Sequence, residues 1–216
     1  MKRTKHKQKD YTIDPDKFFN REERNKLLRY CRDQSELDLI HGRRTWVVRY
    51  MLVDLAFYSG LRVAEMAALK ISDIRLQDEM PCLVVRHGKG DRKRFVYLDN
   101  GVVQHLNTFI KLKQTTLKEP YEGDVALFTG KKENHSKPLT LMKAFKSVIR
   151  EIGLREELSI HSCRHTYATF LLHDTKNMKY VQRQLGHKNI SMTALYSGIL
   201  PEENGKLANQ IKRDFE

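Results

Sequence analysis

The stretch TWVVRYMLVDLAFY, residues 45–58, is apolar on almost every side when it is drawn as a helix. A helix without a polar face is buried on most sides, so this segment is predicted to be the central core element. Ser59 and Gly60 interrupt it, and Gly60 is well placed for a left-handed cap. The sequence LRVAEMAALK, residues 61–70, then restarts as a second short helix.

Helical patterns lie on both sides of this element. Upstream, Asn20 is an N-cap candidate with Glu23 three residues later, a variant of the capping box that opens a helix. Downstream, two further segments repeat apolar residues at helical spacing. They are marked by Val102, Leu106, Phe109 and Ile110, and by Leu141, Phe145, Val148, Ile149 and Ile152.

Between these helices the periodicity changes. The segments SDIRLQ (72–77), CLVVRH (82–87) and RFVYL (94–98) are short and rich in Val, Ile, Phe and Tyr. The last two are joined by GKGDRK (88–93), whose glycines suit a hairpin turn. The predicted fold is therefore mainly α, with a small three-stranded antiparallel β-sheet.

A chain of 216 residues is long enough for one main domain with a buried core. Residues 1–19 lack periodicity and are predicted to form a basic flexible arm, and the main domain spans 20–200. The tail, residues 201–216, is predicted to be an amphipathic helix, because Leu207, Ile211 and Phe215 recur at i, i+4 and i+8.

The charge balance favours a polyanionic partner. Lys and Arg number 40 against 27 Asp and Glu, a net charge of +13. A positive surface gains by releasing the counterions condensed on nucleic acid, although a merely soluble basic protein remains the alternative. No apolar run approaches a membrane span, the basic N-terminus lacks the apolar segment of a secretory signal, and the cytoplasm is expected. Cys31, Cys82 and Cys163 lack the spacing of a disulfide framework or a zinc cage.

The segment SIHSCRHTYATFLLHD, residues 159–174, places His161, Arg164 and His165 on one face of a helix. Helical histidine pairs bind zinc in HExxH sites, but here Ser162 stands where the glutamate is needed and a cation separates the imidazoles. Arginine suits a phosphate better, because its planar fork matches two phosphate oxygens. A buried arginine that ties helices together is the structural alternative.

Three more pieces could carry chemistry. Tyr196 follows a helix C-cap predicted at Gly186. It is expected at the far end of a short helix capped by Asn189 or Ser191, and a phenol beside cations can become a nucleophile. Arg62 lies near Gly60, with Glu65 close enough to orient it or simply to form a surface ion pair. Lys89, at the hairpin tip, could protonate a leaving oxygen or be an ordinary exposed lysine.

The order and spacing of these pieces resemble one family, the tyrosine recombinases or phage-type integrases. The resemblance runs from about residue 20 to the C-terminus. It rests on four motifs, which are SGLRVAEM (59–66), HGKGDRKRFVYL (87–98), HSCRHTYATFLL (161–172) and QLGHKNISMTALYS (184–197).

The resemblance implies a role for each matching residue. Arg62 and Arg164 would be the paired arginines that grip the scissile phosphate, and Tyr196 would be the nucleophile. Lys89 would be the hairpin lysine that protonates the leaving oxygen. His161 would be the first histidine, which assists proton removal from the phenol.

Three further positions match the family in supporting roles. His187 would be the second histidine, Glu65 the acid that supports the first arginine, and His165 a buried histidine that helps to set the pocket. Family members usually carry a separate core-binding domain ahead of this region, whereas about 19 residues precede the first helix here. Either the chain is a minimal catalytic domain or the basic arm substitutes for half of the DNA clamp, and weak stand-alone DNA affinity is expected. The basic side chains expected to contact DNA are Lys2, Arg3, Lys5, Lys7, Lys9, Arg92, Lys93, Arg94 and Lys188.

The implied activity is site-specific recombination of double-stranded DNA through a 3′-phosphotyrosyl intermediate, without metal, ATP or any other cofactor. The implied assembly is a homotetramer on paired DNA sites, aided by an accessory bending or directionality factor and associated with the nucleoid. The tail, residues 201–216, would pass to a neighbouring protomer or pack on its own domain. The alternatives are a type IB topoisomerase-like enzyme, a non-catalytic DNA-binding regulator and a metal-dependent hydrolase.

Overall fold

The computed structural model describes residues 17–86, 93–130 and 135–197. The described helices are α1 Arg21–Ile40, α2 Thr45–Tyr58, α3 Val63–Ala68, α4 Asn100–Thr115, α5 Pro138–Glu151, α6 Ile160–Thr175, α7 Met178–Leu185 and α8 Ser191–Ala194, with a 3₁₀ turn at Ile71–Asp73. The strands are β1 Ile74–Arg75, β2 Cys82–Arg86 and β3 Lys93–Tyr97.

The strands form one antiparallel sheet in the order β1-β2-β3, which confirms the predicted fold class. Leu83 pairs with Val96 and Val85 with Arg94 across β2 and β3. Side chains alternate between the two faces of a strand, so Arg94 shares its face of β3 with the fully buried Val96. This alternation turns Arg94 toward the interior.

The apolar stretch at residues 45–58 is the centre of the core, as predicted. It forms α2, in which every residue from Met51 to Phe57 is buried. This helix packs against α1, α4, α5 and α6. A helix that is surrounded in this way needs apolar residues on all sides, which the sequence supplies.

The predicted N-terminal boundary needs one correction. Phe19, assigned to the flexible arm, is fully buried, and its ring lies 4.9 Å edge-on from that of Phe57. Its backbone N–H donates to Oγ1 of Thr166 on α6 at 2.9 Å. The core therefore begins at or before Phe19, while residues 1–16 of the predicted arm lie outside the described residues.

The capping box predicted for α1 is confirmed. The side-chain oxygen of Asn20 accepts from the N–H of Glu23 at 2.8 Å, and the N–H of Asn20 donates to Glu23 at 3.0 Å. Arg155, just before α6, donates to the same carboxylate at 2.7 Å. The cap therefore also ties α1 to the helix that carries Arg164.

Two isolated β-bridges involve the segment between α4 and α5, pairing Lys70 with Ala126 and Thr129 with His135. None of the helices in the described part of the chain is both long and apolar enough to cross a membrane.

Candidate active site

Arg164 is held between two turns of the backbone. Its guanidinium donates to the carbonyl of Gly60, which follows α2, and to that of Leu185, at the end of α7, the latter at 2.8 Å. The residue is only 7% exposed. Burial and the nearby charge of Arg62 lower its pKa to about 10, so it remains protonated at neutral pH. Arg164 is a fixed cation in a low-dielectric setting.

The second cation is anchored by a shared carboxylate. Arg62 precedes α3, and its Nη1 lies 3.0 Å from Oε1 of Glu65. Arg94 on β3 donates to both oxygens of the same carboxylate, each at 2.8 Å. Burial opposes ionisation of Glu65, but the hydrogen bonds and charges of Arg94 and Arg62 outweigh it and lower the pKa to about 2. We call Arg62, Glu65, Arg94 and Arg164, with the two carbonyls that hold Arg164, the phosphate pocket.

Two glycines permit this close packing. Gly60 and Gly186 have φ of +63° and +65°, which side chains rarely adopt. A Cβ on Gly60 would lie 2.6 Å from the ring of Tyr167, and a Cβ on Gly186 would lie 2.8 Å from Cδ of Arg94. The left-handed cap predicted at Gly60 and the helix C-cap predicted at Gly186 therefore also bring backbone against the pocket.

Tyr196 lies in the turn just after α8 and is 6% exposed. Its Oη is 3.1 Å from Nδ1 of His165, and its ring stacks on that of His187 at 14° with centroids 6.2 Å apart. Burial raises the pKa of the phenol, while Arg164 and Arg62 act in the opposite direction. The charges of both arginines therefore favour the phenolate of Tyr196, and burial opposes it.

The short helix before Tyr196 differs from expectation. Neither Asn189 nor Ser191 caps it, because the N-cap position is Ile190, which makes no side-chain capping bond. The helix ends at Ala194, so Tyr196 follows it rather than closing it. We call residues 187–197 the nucleophile segment.

The histidine that contacts the Tyr196 phenol is not the one to which the family resemblance gave the proton-removal role. The imidazole that contacts the phenol is His165, which is half-buried, whereas His161 is exposed at the start of α6. Burial and the charge of Arg164 lower the pKa of His165, so its ring is neutral at pH 7. Spacing of i+3 and i+4 placed both histidines near Arg164 but could not decide which one faces Tyr196.

His187 lies at the entrance of the nucleophile segment. Its Nδ1 is 3.0 Å from Oγ1 of the buried Thr193, a contact within the segment itself. Burial, followed by the charges of Arg164, Arg62 and Arg94, lowers its pKa to about 4. A neutral imidazole is therefore present here at physiological pH.

The remaining predicted site residues have mixed outcomes. Lys93 and Lys188 are exposed, as a DNA contact requires. Arg94 is not a surface side chain: it is 10% exposed and is engaged with Glu65. Within the described ranges, no group of three or more His, Cys, Asp or Glu side chains is placed to hold a metal ion. Outside the described residues lie Lys89, Arg92, Lys2, Arg3, Lys5, Lys7 and Lys9.

Sequence reasoning missed the link between Arg94 and Glu65. The available signal was the alternation of β3, in which Lys93, Phe95 and Tyr97 face outward and leave Arg94 on the inner face. A buried arginine needs a carboxylate or several carbonyls. That need could have directed attention to Glu65.

Comparison with known proteins identifies the family. Residues 17–203 match the phage integrase family. The chain is 30% identical over 182 residues to the tyrosine recombinase XerD of Staphylococcus aureus, covering 83% of this chain and 58% of that protein. It is 32% identical over 151 residues to a tyrosine recombinase of Thermosipho africanus, covering 70% of this chain and 50% of that protein. The chain thus spans about half the length of these relatives.

Solved structures share the fold. The XerA recombinase superposes with a TM-score of 0.72 at 24% identity, covering 93% of this chain and 65% of that one. The XerH recombinase, in a post-cleavage complex with its palindromic difH substrate, gives 0.71 at 24% identity, covering 91% and 54%. The match spans nearly all of the described domain, and the chain belongs to the phage integrase family, as its resemblance to tyrosine recombinases implied.

Proposed function

We propose that this chain is the catalytic domain of a site-specific DNA recombinase that cuts and rejoins strands through Tyr196. The observation that carries the proposal is the 3.1 Å contact of the Tyr196 hydroxyl with His165, the residue next to the buried Arg164, in a setting where the charges of Arg164 and Arg62 favour the phenolate. The solved XerH relative is bound to its DNA substrate, which supports double-stranded DNA as the partner here. The positive net charge supports the same partner.

The chemical step is a transesterification. Oη of Tyr196 attacks the phosphorus of one phosphodiester and forms an O–P bond, while the bond to the 5′ oxygen of the next nucleotide breaks. Charge builds on the non-bridging oxygens, where two fixed guanidinium groups stabilise the transition state more than the ground state. The product is a 3′-phosphotyrosyl bond and a strand with a free 5′ hydroxyl.

Proton transfer accompanies both halves of the step. We propose that neutral Nδ1 of His165, at 3.1 Å, accepts the proton that the phenol loses. Lys89 would donate a proton to the departing 5′ oxygen, as the family resemblance implies. His187 stacks on the phenol and keeps its ring in place. His161, which is exposed, would contact the DNA backbone beside the scissile phosphate.

The reverse reaction joins a new strand. A 5′ hydroxyl from a second duplex attacks the phosphotyrosyl phosphorus and restores a phosphodiester, while Tyr196 leaves. The number of phosphoester bonds is conserved, so the cycle as proposed requires neither ATP nor a metal ion.

The direct test uses a nicked duplex from which the short 5′-hydroxyl strand diffuses away after cleavage. Wild type should form a protein–DNA adduct that survives denaturation, and Tyr196→Phe should form none. Tyr121→Phe is the matched control, because Tyr121 lies in the loop after α4 and should leave adduct formation unchanged. An adduct that persists in Tyr196→Phe contradicts the proposal.

A second assay separates recombination from simple nicking and resealing. Two duplexes with different flanking lengths should yield recombinant lengths when each carries the site. Religation of the original partners alone would favour the topoisomerase-like alternative.

We further propose assembly as a homotetramer on paired sites, with residues 201–216 exchanged between protomers. These residues lie outside the described part of the chain, so the proposal rests on the amphipathic pattern of Leu207, Ile211 and Phe215. Deletion of residues 201–216 should abolish the multi-protomer DNA complex in gel filtration and preserve cleavage of the nicked duplex. Loss of folding would instead show that the tail packs on its own domain.

A further inference from the structure

One carboxylate in the phosphate pocket serves two arginines of different exposure. The Arg62 side chain is 39% exposed; its guanidinium makes one contact with Oε1 of Glu65, and its backbone N–H donates to Oε2 at 2.8 Å. Arg94 is 10% exposed and forms two parallel hydrogen bonds with both carboxylate oxygens. The bidentate pair is the geometrically stricter of the two guanidinium contacts, so Arg94 fixes the orientation of Glu65 together with the backbone N–H of Arg62.

Arg94 also connects its strand to the end of α7. Its Nε donates to the carbonyl of Gln184 at 3.3 Å. In return, the side-chain oxygen of Gln184 accepts from the N–H of Tyr97 on the same strand at 3.1 Å. The Gln184 side chain is buried and is held further by the hydroxyl of Tyr180 at 2.6 Å.

These reciprocal bonds join β3 to the turn at the end of α7, residues 185–187, which supports Arg164 and leads to His187. We call this turn the corner. Leu185, next to Gln184, supplies the carbonyl that holds Arg164. Gly186 follows, and the Arg94 side chain occupies the space that a Cβ at this position would need. His187 comes next in the chain. Arg94 therefore touches the supports of Arg62 and Arg164 and lies beside the turn that leads to His187.

The charge balance gives Arg94 a second effect on Arg62. Glu65 is ionised throughout the physiological range, because its pKa is about 2. With Arg94 present, its negative charge is shared between two cations, and Arg62 retains positive potential toward solvent. Without Arg94, the whole carboxylate charge would be directed at Arg62 and would draw it away from a bound phosphate.

From this geometry we infer that Arg94 is a positioning residue for strand cleavage, which acts through Glu65 on Arg62 and through Gln184 on the corner that holds Arg164. This inference rests on the proposed function of the pocket. It gives Arg94 no contact with DNA: its effect falls on the rate of the chemical step and spares DNA affinity.

The test is single-turnover cleavage of the nicked duplex at saturating protein. Arg94→Gln should reduce the rate constant by about 10- to 100-fold, because small displacements of catalytic groups carry costs of this order. The dissociation constant for the uncleaved duplex should change less than about twofold, since a buried cation contributes little counterion release. Arg32→Gln, an exposed arginine on α1, is the matched control and should cleave at the wild-type rate.

Arg94→Lys keeps the charge but loses the planar fork, and it should recover only part of the rate. If Arg94→Gln does not fold, Arg94→Lys carries the test with the same affinity and rate criteria. A purely structural defect would lower the fraction of active molecules, seen as a smaller reaction amplitude, and leave the rate constant intact.

A double-mutant cycle identifies the route of the effect. Because Arg94 acts on Arg62 as well as on the corner that holds Arg164, the double variant Arg62→Gln/Arg94→Gln should lose clearly less rate than the product of the two single losses, since coupled residues are not additive. Fully additive losses, or a wild-type rate constant for Arg94→Gln, would overturn the inference while wild type still forms the adduct. Absence of any wild-type adduct would instead contradict the proposed function itself.

Discussion

The side chains of the phosphate pocket are held by more contacts than the Tyr196 side chain of the nucleophile segment. In the pocket, Arg164 is fixed by two backbone carbonyls, and Glu65 is bound by two arginines. The nucleophile segment rests on a four-residue helix without a side-chain cap. The hydroxyl of Tyr196 makes one described hydrogen bond, to His165. The cations are preorganised, whereas the phenol lies on the less constrained part of the site.

This difference suits the order of events in transesterification. Preorganised cations stabilise developing charge without the cost of reorientation during the reaction. In the proposed reaction the phenol of Tyr196, a residue that is 6% exposed, must meet a phosphate that arrives from solvent. We therefore expect DNA binding to shift the nucleophile segment while the pocket stays in place.

The largest effects are expected when Arg164 and Arg62 are substituted separately, which tests whether the two cations are held differently. Arg164→Met and Arg62→Met should each slow cleavage by about 10²- to 10³-fold, the usual cost of removing one transition-state donor. Only Arg164→Met should also lower the free energy of unfolding, by about 1–3 kcal/mol, because it leaves the carbonyls of Gly60 and Leu185 without their donor. Urea titration and single-turnover cleavage measure the two effects.

Equal destabilisation by both substitutions would contradict the distinction between a buried fixed cation and an exposed one. Arg62 is 39% exposed and its removal uncovers no buried carbonyl, so its unfolding midpoint should remain close to that of wild type.

Two glycines of the same backbone conformation sharpen the comparison. Gly60 and Gly153 have φ of +63° and +66°, so alanine at either position costs about 1–2 kcal/mol for the left-handed backbone. At Gly60 the new Cβ would also lie 2.6 Å from the ring of Tyr167, whereas at Gly153 it would meet nothing within 4 Å. Gly60→Ala should therefore be the more destabilising variant in urea titration and should also slow cleavage by disturbing the support of Arg164.

Gly153→Ala is the control for backbone strain alone and should retain the wild-type cleavage rate. A loss of stability no larger for Gly60→Ala than for Gly153→Ala would show that the Tyr167 ring yields without cost, and that the pocket is less tightly packed than described.

As the pH falls, the nucleophile segment and the phosphate pocket should lose stability in different pH ranges. The pKa of His187 is lowered from 6.5 in the unfolded chain to about 4, so the unfolded state binds more protons and stability falls as pH drops from about 6.5 to 4. The pKa of Glu65 is lowered from 4.5 to about 2, so its contribution is present above about 4.5 and is lost as pH falls toward 2. The nucleophile segment should therefore weaken first.

Urea midpoints measured from pH 7 to 2.5 test this order. His187→Gln should reduce the change of the urea midpoint between about pH 6.5 and 4 and leave the change below about pH 4.5 as in wild type. Glu65→Gln should do the reverse. Identical pH profiles for wild type and both variants would refute the assigned electrostatics.

The smallest expected effect lies outside both regions. Asn20→Ala removes the cap of α1 and should cost about 1 kcal/mol of stability in urea titration. Its cleavage rate constant should equal that of wild type, because the cap bonds join Asn20 to Glu23 and not to a residue of the phosphate pocket. A slowed rate constant would show that α1 transmits strain through Arg155 to α6.

Local signals predicted most of the fold. The apolar stretch of α2, the capping box at Asn20 and the left-handed glycines act within a few residues, so the sequence alone exposes them. The burial of Phe19 was missed, because it depends on an aromatic neighbour and on Thr166, far along the chain.

The site was predictable as a set of residues and less so as a set of contacts. The family resemblance named Arg62, Arg164 and Tyr196, and the charges of the two arginines act on the pKa of the Tyr196 phenol. It did not show that His165 faces the phenol or that Arg94 binds Glu65, because both pairings depend on how separate elements pack.

The most direct test of the central claim is to locate the covalent bond to DNA. After reaction with the nicked duplex, nuclease digestion and trypsin, the peptide NISMTALYSGILPEENGK, residues 189–206, should carry the added mass of a 3′-linked nucleotide on Tyr196. A nucleotide mass on any other residue, or a linkage through a 5′ phosphate, would contradict the account.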